Sequence, residues 1–268
     1  MKDEVEARQL ASFQEALALG YGGQQRRAID MLETLLQEAP DNEDKGWFLM
    51  FQVTFLAQVE RTAEARELLR KLTSLWEDTC EHRARIAAAD AMLDEAGGQA
   101  SLSLEKYNHI LKQYRSLWSS EDIRDLYEEI QISRGRILAT TGKWRLALPV
   151  LEESLQFERP KAGEFYCNLG SCYYHAEKWE KAEEALKLAL SKEMVKRFSS
   201  AAHYYLGYLL RRKGAVAKAF KEFEVALSDA MEAGSSCKPI YDALARTSKE
   251  LGLDEQSAEY SRLSKTSK

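Results

Sequence analysis

Proline is scarce in this chain: of 268 residues only four are proline, at positions 40, 149, 160 and 239. A chain so poor in the residue that interrupts helices is free to form them almost throughout, and three of the four prolines fall between runs that read as helix pairs. Long apolar runs are missing too, and none approaches the ~20 residues that span a bilayer, which excludes a transmembrane helix and a membrane partner. The opening Met1-Lys2-Asp3-Glu4-Val5-Glu6 is acidic and has no apolar centre, so no secretory signal is read and the cytoplasm is the expected compartment. Basic charge is not in surplus either. The net charge is −5, with both signs intermixed along the chain, whereas a nucleic-acid backbone calls for a dense basic stripe; no nucleic-acid partner is expected.

Clusters that could do chemistry are equally absent. The four cysteines, Cys80, Cys167, Cys172 and Cys237, show no zinc-like pairing. Cys167 and Cys172 are five apart on one predicted helix, where side chains point to different sides, so they are read as free thiols of a reducing compartment. His82, His109, His175 and His203 are scattered without a two-ligand spacing. Gly20-Tyr21-Gly22-Gly23 follows a helix and lacks the lysine and hydroxyl of a phosphate loop, so it reads as a hairpin turn. The expectation is a protein with no cofactor, no metal and no catalysis of its own.

What the chain does contain is a repeat. Leu169-Gly170-x-x-Tyr173 precedes Trp179, Ala182, Leu186 and Ala189; Leu206-Gly207-x-x-Leu210 precedes Gly214, Ala219, Phe223 and Ala226. Apolar residues at three- and four-residue intervals describe two amphipathic helices joined by a tight turn. Gly170, Gly207 and the alanines leave room where the helices cross, and Leu186 and Phe223 fill the space between. This spacing strongly resembles the tetratricopeptide repeat family. The resemblance implies an all-α, right-handed superhelical solenoid of about seven antiparallel helix hairpins.

The alanine that opens each second helix carries the register outward. Ala28, Ala65, Ala147, Ala182, Ala219 and Ala258 are spaced 35 to 39 residues apart except for one interval of 82, which must hold a further, degenerate pair. The units lie near 9–42, 46–79, 82–118, 120–160, 163–196, 200–233 and 239–263, the third and last degenerate, in a single solenoid over 1–263. Residues 264–268 read as a frayed tail. Pro40 and Pro160 end their units. In the third unit a helix from His82 to Ala96 turns at Gly97-Gly98 into one from Leu102 to Trp118, with Leu102, Tyr107, Ile110, Leu111, Tyr114 and Leu117 on one face. The surplus length is expected in a helix from Asp122 to Thr141 that projects an extra turn, and Pro149 is expected to kink or delay the helix that holds it.

In the family it resembles, first helices line a concave groove. The corresponding stripe here is Ile132, Ser133 and Arg136; Cys167, Asn168, Ser171, Tyr174 and His175; and Tyr204, Tyr205, Tyr208, Arg211 and Arg212. Tyrosines followed by arginines have the profile of interface hot spots, though the same tyrosines could pack on the next hairpin and the arginines could be solvated. The family's clamp for acidic chaperone tails is matched only at Asn168, with Ile132, Arg136, Ala201 and Tyr205 in its other places, so that role is not expected. Trp144 and Trp179 read as packing residues just after the turns. The N-terminal stripe of Phe13, Gln14, Leu17 and Tyr21 with Trp47, Met50, Phe51, Thr54 and Gln58 is apolar enough to be covered by a partner helix, a second copy or the chain's own loops. The leading expectation is a non-catalytic adaptor that binds a peptide or helix of another protein, an acidic segment included. A homodimeric scaffold and a regulatory subunit are the alternatives.

Overall fold

A computed structural model describes residues 2–39, 41–157 and 161–267, so the roles expected of Pro40 and Pro160 lie outside the described residues. The contacts divide the chain into two compact units, Met1–Ile130 and Gln131–Lys268. In the first, hairpins are formed by α1 (Lys2–Tyr21) with α2 (Gln25–Glu38), α3 (Asn42–Gln58) with α4 (Thr62–Leu75), and α5 (Cys80–Ala96) with α6 (Ala100–Gln113). Next comes α7 (Arg124–Thr140), within which the division falls. The second unit holds α8 (Trp144–Ser154), then α9 (Gly163–His175) with α10 (Trp179–Leu190), α11 (Lys196–Arg212) with α12 (Val216–Glu232), and α13 (Lys238–Glu250) with α14 (Asp254–Thr266). The fold is all-α and of the tetratricopeptide kind.

Every hairpin turn has the same construction, and its chemistry is local. Three residues separate the paired helices, and the middle one has positive φ: Gly23, Glu60, Gly98, Gly142, Glu177, Gly214 and Gly252. The residue after it donates its backbone N–H to a carbonyl of the preceding helix, as in Lys178 to Tyr173 at 2.9 Å and Ala215 to Leu210 at 3.0 Å, which satisfies a helix end that would otherwise be left open. A side chain at positive φ is strained, and Glu177 at φ 57 is exposed. Glu177→Gly is therefore expected to raise stability by about 0.5–1 kcal/mol, the relief of strain exceeding glycine's larger unfolded-state entropy. A urea midpoint that stays put or falls would show that the turn holds no such strain.

Five of the anchor alanines are buried, and in α6 and the last hairpin a serine holds the corresponding place. Ala28, Ala65, Ala147, Ala182 and Ala219 are fully buried, each at the fourth residue of its helix. Side chains added at Gly170 and Gly207 would meet Leu186 Cγ at 2.7 Å and Phe223 Cε1 at 2.5 Å, so these glycines make room for the residues named to fill the crossing. Ala258 is exposed; the anchor of the last hairpin is the half-buried Ser257, whose hydroxyl donates to the Ala245 carbonyl at 2.9 Å. Buried Ser103 takes the same place in α6, inside the long interval. Serine is barely larger than alanine, so it fits the crossing while escaping a pattern built on alanine.

Three further expectations change. The α7 helix has 17 residues, the same as α3, α5 and α11, and the surplus chain is taken up by two 3-10 turns at Arg115–Leu117 and Glu121–Ile123. There the Ser120 hydroxyl caps the second turn by accepting from the Asp122 N–H at 3.3 Å. Leu102 is exposed, because α6 starts at Ala100 and ends at Gln113 and presents Ser103, Leu104, Tyr107 and Ile110 inward. Residues 264–266 belong to α14, where the buried Ser264 hydroxyl donates to Asp242 Oδ1 at 2.5 Å, a polar dock in a stretch without apolar residues. Helix α8 runs through Pro149 and has 11 residues, the shortest of the α-helices.

Candidate protein-interaction surface

The sequence stripe of the second unit assembles on adjacent first helices, α9 and α11. Because residues 204, 205 and 208 diverge around α11, Tyr204 and Tyr208 reach back to Phe223 of α12, with ring centroids 6.1 and 5.2 Å away, while Tyr205 turns toward α9. There Tyr174 meets Tyr205 at 5.0 Å and Tyr208 at 6.3 Å, and the Tyr205 hydroxyl lies 3.1 Å from His175 Nε2, to which it donates when the ring proton is on Nδ1. His175 stacks in turn on Trp144, centroids 3.4 Å apart and planes at 12°. All four tyrosines are half-buried, an edge-linked aromatic sheet rather than a row of free side chains.

This burial has electrostatic consequences. It pushes the Tyr204 and Tyr205 hydroxyls well above the ordinary tyrosine range and that of Tyr174 in the same direction, partly offset there by Arg212 and Arg211. Partial desolvation also lowers the His175 pKa, which favours the neutral imidazole. The thiols of Cys167 and Cys172, both buried and free, are pushed up to about 12 by desolvation. They are protonated at neutral pH and therefore poor nucleophiles. Among the described residues no group of three or more His, Cys, Asp or Glu side chains could hold a metal ion.

The arginines are engaged by residues that the stripe did not include. Arg211 Nε donates to both carboxylate oxygens of Glu250 on α13, at 3.0 and 3.1 Å, and Arg212 lies over the Trp179 ring with its guanidinium carbon 4.3 Å from the centroid. Tyr174, Trp179, Tyr208, Arg211, Arg212 and Glu250 together line a cleft of about 410 Å³. Trp179 thus does more than staple a turn. Asn168, on α9, is buried and its amide nitrogen has no hydrogen-bond partner among the described residues, while the Ser171 hydroxyl donates to the Asn168 carbonyl at 2.8 Å. Arg136, on α7, is half-buried, as are Ile132 and Ser133. His203 is half-buried with Nδ1 2.7 Å from Glu222 Oε2.

In the first unit the apolar stripe packs on its own core. Phe13 meets Phe48 and Phe51 at 5.1 and 5.5 Å, and Trp47 sits edge-on to Trp76 at 5.4 Å beneath the Arg85 guanidinium at 4.9 Å. Tyr21, 59% exposed, leans on Phe55 at 5.6 Å and faces outward, as do Gln14 and Gln58.

Comparison with known proteins agrees with this architecture. Tetratricopeptide repeat models match residues 132–195 and 192–235, and a second such model matches 10–42. The chain belongs to the tetratricopeptide repeat family. Proteins of this family are generally non-catalytic interaction scaffolds. No curated protein matches the sequence. Among solved structures, the apo form of RapI is 10% identical with a TM-score of 0.61, over 96% of this chain and 76% of that one. Pseudomonas aeruginosa pilF is 17% identical with a TM-score of 0.59, over 84% and 93% respectively. The APC/C hetero-tetramer Cut9–Hcn1 is 13% identical with a TM-score of 0.56, over 88% of this chain and 42% of that one. At these identities the likeness is one of fold. No helix among the described residues is long and apolar enough to cross a membrane.

Proposed function

We propose that the protein is a non-catalytic adaptor of the cytoplasm whose second unit binds a segment of a partner protein in the cleft beside α9 and α11. The composition of the cleft carries this reading: half-buried Tyr174, Tyr208 and Trp179 supply rigid amphipathic contact, and Arg211 and Arg212 supply charge-assisted donors. The exposed Arg211–Glu250 pair is worth about 0–1 kcal/mol, so a carboxylate of an acidic segment can take the place of Glu250.

Opposite charge changes test the reading. In pull-downs from the source cell with the intact chain, Arg212→Glu combined with Tyr208→Ala is expected to cut recovery of the specific partner at least about tenfold, and Glu250→Gln to raise it by freeing Arg211. Recovery unaltered in both variants, with circular dichroism unchanged, would remove the cleft as the binding site. The homodimer alternative rests on exposed Tyr21 and Leu10 of α1, and light scattering at the dimer mass that reverts to monomer in Tyr21→Glu would favour it.

A further inference from the structure

We propose a second binding site, in the first unit, that takes a phosphomonoester carried on an apolar or aromatic body. It lies in a cleft of about 500 Å³ between α4 and α5 and is independent of the α9/α11 surface. Arg66 and Arg70 reach it from one face of α4, and Arg83 and Asp90 from one face of α5. Three guanidinium groups and one carboxylate, Asp90, line it, and the carboxylates paired with Arg70 and Arg83, Glu67 and Asp78, lie outside the lining.

The three arginines are held differently. Arg66 is fixed, donating to Asp90 Oδ1 at 3.0 Å and to Asp94 Oδ1 at 2.6 Å. Among the described residues Arg70 and Arg83 bond only to near neighbours along the chain, Glu67 for the first and Asp78 and Cys80 for the second. Exposed pairs of that kind contribute little, so an incoming anion displaces them readily. Tyr114, at the end of α6, adds a hydroxyl donor to the lining. It lines the cleft, is only 8% exposed, and its hydroxyl takes part in no hydrogen bond with the described residues.

A phosphomonoester fits this donor set better than a carboxylate. Two guanidinium forks on facing helices and a phenol outnumber the oxygens of a carboxylate, whereas a phosphate brings a near-double charge and three terminal oxygens. Leu69 and Ile86 give the cleft an apolar wall that a bare inorganic anion would leave uncovered. The phosphate could sit on a small molecule or on a modified side chain of another protein, and the chemistry recognised is the same.

Calorimetric titration of the full chain tests the site with phenyl phosphate, inorganic phosphate, and a peptide with and without a single phosphotyrosine. Saturable one-site binding of phenyl phosphate is expected, weaker at higher salt. The Arg70→Gln, Arg83→Gln double variant should weaken it at least about tenfold, and Tyr114→Phe should weaken it by a smaller factor, with circular dichroism unchanged. Tighter binding of the phosphopeptide than of phenyl phosphate assigns the anion to a partner protein, and the reverse order to a small molecule. The site is overturned if neither ligand saturates, if the double variant binds as well as the original chain, if the unmodified peptide binds as well as its phosphorylated form, or if inorganic phosphate binds as tightly as phenyl phosphate.

Discussion

Phe223→Ala is expected to lower the unfolding free energy by about 3–5 kcal/mol, the range for emptying a fully buried aromatic site. Phe223 is 0% exposed and belongs to a cluster with Ala219, Ala226, Ala230, Ile240, Ala243 and Leu244, against which Tyr204 and Tyr208 also pack. Its neighbours are mostly alanines on stiff helices, which cannot swing in to fill the cavity, so little of the loss is recovered by collapse. Gly207 adds to this, since it has no side chain to cover the gap. The effect should reach the candidate surface as well. Without the ring behind them Tyr204 and Tyr208 lose their backing, and partner recovery should fall in parallel with stability. Urea unfolding of Phe223→Ala beside the exposed control Val225→Ala measures the first effect. A loss of less than about 1 kcal/mol would mean that α11 and α12 do not cross as described.

Asp94→Asn is expected to cost about 2–3 kcal/mol at pH 7, and the cost should vanish in acid. The Asp94 carboxylate is buried; Arg66 Nη2 donates to Oδ1 at 2.6 Å, and Lys106 Nζ forms an ionic contact with Oδ2 at 2.5 Å. Asp90 shares both cations. The magnitude lies below that of a fully buried ion pair because Arg66 and Lys106 remain about a third exposed and solvent screens them. Desolvation raises the Asp94 pKa, but the hydrogen bonds and charges of Lys106 and Arg66 outweigh it, and the net result is a pKa below the ordinary aspartate value of 3.8. With the folded pKa depressed, the stabilisation is fully present above pH 3.8 and is lost as pH falls through the lower folded value. Urea melts should therefore separate the original chain from Asp94→Asn at pH 7 and bring them together near pH 2. A difference that persists undiminished in acid would show that the amide disturbs packing rather than charge.

Several features of the candidate surface were readable from one dimension. The tyrosines of α11 and Tyr174 of α9 could be placed on neighbouring stripes because helical periodicity puts residues three and four apart on one face whatever the rest of the chain does. The hairpin turns were readable for the same reason, since a three-residue turn with a positive-φ centre is decided by the glycine at hand, as at Gly142 and Gly214. Glu60 and Glu177 hold that same backbone without a glycine to announce it.

The sequence by itself thus determined the all-α class, the repeat length, five of the alanine anchors and the crossing pairs Gly170–Leu186 and Gly207–Phe223. These depend on size and period within some twenty residues of chain. Only the tertiary structure decided that Arg211 pairs with Glu250, that Arg212 lies over Trp179, and that Ser103 and Ser257 stand in for alanine. It alone showed Arg66, Arg70 and Arg83 lining one cleft beside Tyr114. Long charged side chains have many rotamers and no periodic signature, and the partner each one finds is set by which hairpin stacks beside it, a relation that spans 39 residues between Arg211 and Glu250.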